Sequence, residues 1–172
     1  MLRCRLTKAP SWAYHTAVKG SYILILWLDQ PLVGLQVGRL GRFDLHAGYY
    51  LYVGSAFGPG GLRARLAHHQ RRAKARPHWH IDYLRMQAHL CEAWTVTSST
   101  HLECVWCRAL AAHPEVTLPI RGFGARDTGC AAHLFYLPRP VRSSLLTAVI
   151  LNDVIHQPEP LQIEVHRFDA TT

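Results

Sequence analysis

The sequence predicts an α+β fold, and three observations carry that expectation. A seven-residue apolar run, Tyr22-Ile23-Leu24-Ile25-Leu26-Trp27-Leu28, is too continuous for an exposed edge and reads as a buried strand. Shorter β-type segments follow, punctuated by Gly38, Gly41 and Gly48 at turns or bulges. After Gly60-Gly61 the pattern changes to helical, and Pro77 supplies a stop signal.

Taken in order, residues 1–19 form a basic N-terminal arm without periodicity, and residues 21–29 the first strand. Further β segments are expected at 34–39 and 49–53. A helix is expected from Gly61 to about Arg76, placing Arg65, His69, Arg72 and Arg76 along one stripe, with Leu62 and Leu66 seating it on the sheet. Residues 80–86 read as a short second helix, 92–97 as a strand rich in β-formers, and 100–112 as a third helix. Gly122-Phe123-Gly124 reads as a turn, 133–137 as the last strand, and 145–151 as helical within a tail that begins at Pro138. The expected organisation is an arm (1–19), one domain (20–137) and a C-terminal extension (138–172).

The 172 residues suffice for one domain with a sizeable core. Nineteen Lys and Arg against 11 acidic residues give a net charge of +8. No acid occurs between Asp44 and Asp82, whereas Arg63, Arg65, Arg71, Arg72, Lys74 and Arg76 crowd that interval. Such a field attracts a polyanion, and its plainer reading is a solvated basic face. The apolar runs fall well short of the roughly 20 residues that span a bilayer. Arg3, Arg5 and Lys8 precede no signal-peptide core, so a soluble cytoplasmic protein is expected. Five cysteines without a small-secreted-domain pattern suggest reduced thiols.

Several residues suit chemistry on phosphodiesters. Tyr22 and Tyr52 each place a phenol on a strand. A phenol with a pKa of about 10 is a poor base until a guanidinium and a divalent cation favour its ionisation. Arg65 and His69 lie four apart on one helical face, and Arg is suited to forked hydrogen bonding of phosphate. Glu103 has two compatible readings. It completes a capping box with Thr100, or it holds Mg²⁺. Arg63, Arg72, Lys74, Arg76, His78 and His80 are the candidate nucleic-acid contacts, although His80 and Asp82 also suit a tie between helices. Cys104 with Cys107, and Cys130 with His133, spell two short metal-ligand pairs. The first pair sits inside an amphipathic helix rather than a zinc knuckle, so the sequence weighs against structural zinc, and a zinc-supported structural adaptor is the third and least favoured reading.

With these residues assembled, the chain resembles the GIY-YIG nuclease superfamily, within its Uri-type endonuclease lineage (domain of unknown function 123). Gly20-Ser21-Tyr22 stands at the first motif, Tyr52-Val53-Gly54 at the second, and Gly61-Leu62-Arg63-Ala64-Arg65-Leu66 at the arginine helix. Val37-Gly38-Arg39-Leu40-Gly41-Arg42-Phe43, Ala47-Gly48-Tyr49-Tyr50, His78-Trp79-His80-Ile81-Asp82-Tyr83 and Gly122-Phe123-Gly124 match the lineage. Ser21 and Val53 replace the isoleucines of the two namesake motifs. The resemblance implies a small central antiparallel sheet flanked by helices and a metal-dependent endonuclease. Its catalytic residues would be Tyr22, Tyr52, Arg65, His69 and Glu103, with Mg²⁺ or Mn²⁺ on Glu103 and nucleic acid, DNA before RNA, as partner. The alternative is a noncatalytic nucleic-acid-binding module on the same fold.

Overall fold

The computed structural model describes residues 17–151 and 161–169; residues 1–16 of the expected basic arm lie outside the described residues. The chain runs β1 (Gly20–Leu28), β2 (Leu32–Val37), β3 (Gly41–Leu45), β4 (Gly48–Ser55), α1 (Gly61–Gln70), α2 (His80–Arg85), β5 (His89–Thr97), α3 (Glu103–Ala112), β6 (Leu134–Leu137), α4 (Ser143–Leu151) and β7 (Ile163–Arg167). Five strands form one antiparallel sheet in the order β6-β4-β1-β5-β7, and β2 and β3 form a separate hairpin. This is the α+β architecture expected from the sequence.

The continuous apolar character of β1 follows from its central place, because side chains alternate between faces and both faces are covered. Tyr22, Leu24, Leu26 and Leu28 enter one core with Leu62 and Leu66 of α1 and Ile81 and Leu84 of α2. Ile23 and Ile25 enter the other, with Trp106 and Leu110 of α3 and Leu146 and Ile150 of α4. No helix among the described residues is long and apolar enough to cross a membrane.

Three local expectations are corrected. Helix α1 ends at Gln70, so Arg72, Lys74 and Arg76 leave the helix instead of extending its stripe. The cause is Arg85, which is only 1% exposed. Its guanidinium donates to the carbonyls of His69 (2.7 Å), Gln70 (3.0 Å) and Ala88 (2.9 Å), satisfying the helix end without another turn. Helix α3 begins at Glu103 without a side-chain cap, so the capping box from Thr100 does not form. Finally, β6 is not the last strand. Beyond residue 138, α4 closes the second core and β7 pairs with β5 from Glu92↔Arg167 to Val96↔Ile163.

Candidate active site

The two tyrosine motifs meet across the β1–β4 ladder. Tyr22 lies opposite Gly54, and Leu24 opposite Tyr52, so the two phenols are diagonal neighbours on the face covered by α1. Gly54 is required by close approach. A Cβ there would lie 2.5 Å from both Cζ and the hydroxyl oxygen of Tyr22. The Tyr22 hydroxyl is 2.8 Å from Nε2 of His69, one turn after Arg65 on α1. Tyr52 packs edge-on to the same imidazole, with ring centroids 6.1 Å apart. His69 is 1% exposed, and its Nδ1 has no hydrogen-bond partner among the described residues.

Burial dominates the electrostatics here. It pushes the Tyr22 phenol well above its ordinary pKa, with Tyr52 and Glu103 adding to the rise and Arg65 opposing it. Burial also raises Tyr52, again against Arg65 and with Glu103. The same desolvation, reinforced by Lys74 and His68, lowers His69 to about 3. At neutral pH the resting pair is therefore a neutral phenol against a neutral imidazole. Tyr22, Tyr52 and His69 lie together under α1 with Arg65, whose charge acts on all three; the charge of Glu103 reaches both phenols from the start of α3, a helix that packs on the other face of the sheet.

Arg65 is held from below, its guanidinium carbon 4.0 Å from the centre of the Trp79 ring. Trp79 is in turn placed by Asp82. That carboxylate is fully buried and accepts the backbone N–H groups of His78 (2.9 Å) and Trp79 (3.0 Å). It also binds Nε2 of His68 (2.8 Å) and the ammonium of Lys74. Burial alone would raise Asp82, but Lys74, the two amides and His68 outweigh it and hold the carboxyl well below its usual range. Arg65, Arg71, Pro59, Gly61 and Trp79 help to line a cleft of about 330 Å³ open to solvent.

Glu103 stands in the first turn of α3. The turn is tied to β1 by Ser21, whose buried Oγ accepts the N–H of Leu102 at 3.2 Å. Ser21 thus anchors the helix bearing the carboxylate, while its neighbour Tyr22 faces the opposite side of the sheet. The half-buried Glu103 carboxylate has no hydrogen bond or ion pair to a protein cation among the described residues. A carboxylate without a protein cation is the type of hard oxygen donor that a divalent cation such as Mg²⁺ takes, and such ions need only one or two carboxylates when waters and phosphate complete the shell.

The candidate nucleic-acid contacts divide. Arg63, Arg76 and His78 are exposed. Arg72 is exposed, and donates to the carbonyls of Met86 (3.3 Å) and Gln87 (3.5 Å). Lys74 is turned into the Asp82 cluster with its side chain only 6% exposed, and Nδ1 of His80 accepts the N–H of Gly124 at 3.0 Å. Sequence reasoning passed over Ser21, Trp79 and Arg85 as positioning residues. Trp79 and Arg85 lie within or beside a noted block, but no spacing rule shows which atoms a tryptophan or buried arginine will touch.

Neither a curated protein nor a solved structure matches the chain. The model of one family does, that of the domain of unknown function DUF123, over residues 21–154. That span takes in both motif tyrosines, the arginine helix, the Asp82 cluster and α3, and on this match the chain belongs to the DUF123 family.

Proposed function

We propose that this protein is a metal-dependent endonuclease that hydrolyses phosphodiester bonds in nucleic acid, DNA before RNA, in the cytoplasm. The observation that carries this reading is the buried Tyr22–His69 hydrogen bond, beside Tyr52 and on the helix that carries Arg65, with the charge of Glu103 acting on Tyr22 from the start of α3. Arg65, braced on Trp79, offers two parallel N–H donors to the non-bridging oxygens of the scissile phosphate and neutralises charge that develops there. A divalent cation on Glu103 would supply Lewis-acid polarisation of the phosphate and stabilise the leaving oxygen. Tyr22 rather than Tyr52 is assigned to the attacking water, because among the described residues only Tyr22 has a base within hydrogen-bond reach. Its hydroxyl takes the water's proton as it gives its own to His69. Negative charge arriving with the substrate raises the imidazole pKa and favours that transfer.

Glu103→Gln tests this reading against that of a noncatalytic binding module. The substitution preserves volume while removing the charge that holds the cation. Labelled DNA and RNA substrates incubated with Mg²⁺ should be cut at least about a hundredfold more slowly, equivalent to about 2.7 kcal/mol in barrier. Affinity measured without metal should be unchanged or slightly higher, and circular dichroism should show the native fold. Cleavage at the wild-type rate would remove Glu103 from the mechanism. Nucleic-acid binding without metal-dependent cleavage by the wild-type chain would favour the binding module.

A further inference from the structure

A second group of ligating side chains gathers beside the phenol–guanidinium site. Cys104 and Cys107 occupy the first two turns of α3, three apart and so on one face. Opposite them, Cys130 and His133 end the turn-rich segment that leads into β6. One ligand atom from each of Cys104, Cys130 and His133 lies within 4.8 Å of the other two. Cys107, buried one turn further along α3, lies outside this group of three. Around tetrahedral Zn²⁺, bonds of about 2.3 Å to sulfur and about 2.0–2.1 Å to nitrogen place ligand atoms about 3.5–3.8 Å apart. Closing these three around the ion therefore needs movements of about 1 Å, and Cys107 must move further, by a change of χ1 rotamer, to supply the fourth ligand.

We propose that Cys104, Cys107, Cys130 and His133 form a structural zinc site that clamps the loop of residues 121–133 to the start of α3. Three soft sulfurs and one imidazole select zinc over hard cations, and four protein ligands close the shell to substrate. A disulfide would engage only two of the four groups and leave His133 without a purpose at this point. His133 is already fixed, since its N–H donates to Phe123 O (2.7 Å) and its carbonyl accepts Val53 N–H (3.0 Å). Thr128 Oγ1, 3.0 Å from its Nε2, orients the ring.

The clamp has a consequence for the neighbouring site. The loop carries Phe123, whose ring meets Tyr52 edge-on at 6.3 Å, and Gly124, which donates to His80. Helix α3 carries Glu103. Zinc would fix the wall behind Tyr52 relative to the carboxylate without touching substrate.

The full chain, purified without chelator, should contain about one zinc per molecule by elemental mass spectrometry. Replacement with Co²⁺ should give the near-ultraviolet thiolate-to-cobalt charge-transfer band. Cys130→Ser and His133→Ala should each lose stoichiometric metal. Cys91→Ser, on β5, should retain it. Glu103→Gln should also retain it, which separates this ion from the catalytic cation and lets the zinc site stand or fall independently of the nuclease reading. Absence of zinc and of the cobalt band overturns the proposal. So does zinc retained in Cys130→Ser, zinc lost in Glu103→Gln, or a non-reduced mass showing a disulfide at Cys130. Where Cys130→Ser does not fold, the metal content and cobalt spectrum of the wild-type chain decide the matter.

Discussion

Replacing Asp82 with Asn should unfold much of the support beneath Arg65. Asp82 is fully buried, and the Lys74 side chain it holds is 6% exposed. The two partners are unequally served. The carboxyl is held well below its usual range, whereas Lys74 is itself lowered, burial outweighing its ion pair. Asn keeps an oxygen for the amides of His78 and Trp79 but removes the countercharge, leaving the Lys74 ammonium with only neutral partners such as His68 Nε2, 2.8 Å away, against its desolvation cost. Removing one partner of a buried ion pair costs about 3–5 kcal/mol. An unfolding entropy of about 2.1 cal/mol/K per residue gives about 0.36 kcal/mol/K for 172 residues. The melting temperature should accordingly fall by about 8–14 °C in differential scanning calorimetry at pH 7. The sign with pH is also set. A depressed folded pKa means that the contribution is fully present above the unfolded value of about 3.9 and is lost as pH falls toward the folded one. The deficit of Asp82→Asn should therefore shrink below about pH 4. A variant within about 1 kcal/mol of wild type at pH 7 would refute the idea that this cluster is dry and uncompensated.

Other outcomes follow from the same geometry. His69, lowered to about 3 by burial, is neutral in the fold but charges in the unfolded chain below its ordinary value. Stability should thus decline as pH drops from about 6.5, and urea titrations of His69→Gln should lose that part of the slope. Gly54→Ala places a Cβ 2.5 Å from the Tyr22 hydroxyl. It should cost about 1–3 kcal/mol by chemical denaturation and lower cleavage further by displacing the Tyr22–His69 bond; a wild-type rate would separate that bond from catalysis. Removing the exposed charges of Arg63 and Arg76 should flatten the salt dependence of DNA affinity by about 0.9 for each phosphate that is no longer neutralised. An unchanged slope would place the backbone elsewhere on the surface.

Much of the architecture was legible in local pattern. The continuity of Tyr22–Leu28 required a strand covered on both faces, and β1 is the central one, with helices on either side. The helix after Gly61, the short helix at residue 80 and the helical segment near residue 145 were readable from periodicity, turn residues and apolar content, all local properties. Arg65 and His69, four apart, had to share a helical face. That Tyr22 bonds His69 rather than Tyr52 doing so was open, because the register of β1 against β4 and the seating of α1 decide it.

What the local pattern misjudged was decided by partners distant in sequence. Residues 71–76 have helical composition up to Pro77, yet Arg85 takes the carbonyls of His69 and Gln70, and Asp82 captures Lys74. Thr100 and Glu103 have capping-box spacing, yet Ser21 binds Leu102 N–H from another strand and α3 begins at Glu103 without the box. The tail after Pro138 carries no sign that its strand completes the sheet, since the pairing of β7 is specified by the open edge of β5. Cys104 and Cys130 belong to different elements, and only packing brings them to His133. Periodicity and turn chemistry act through a few neighbouring residues and so are written in the sequence. The fate of a buried charge or an unpaired backbone group depends on which distant partner the fold delivers to it.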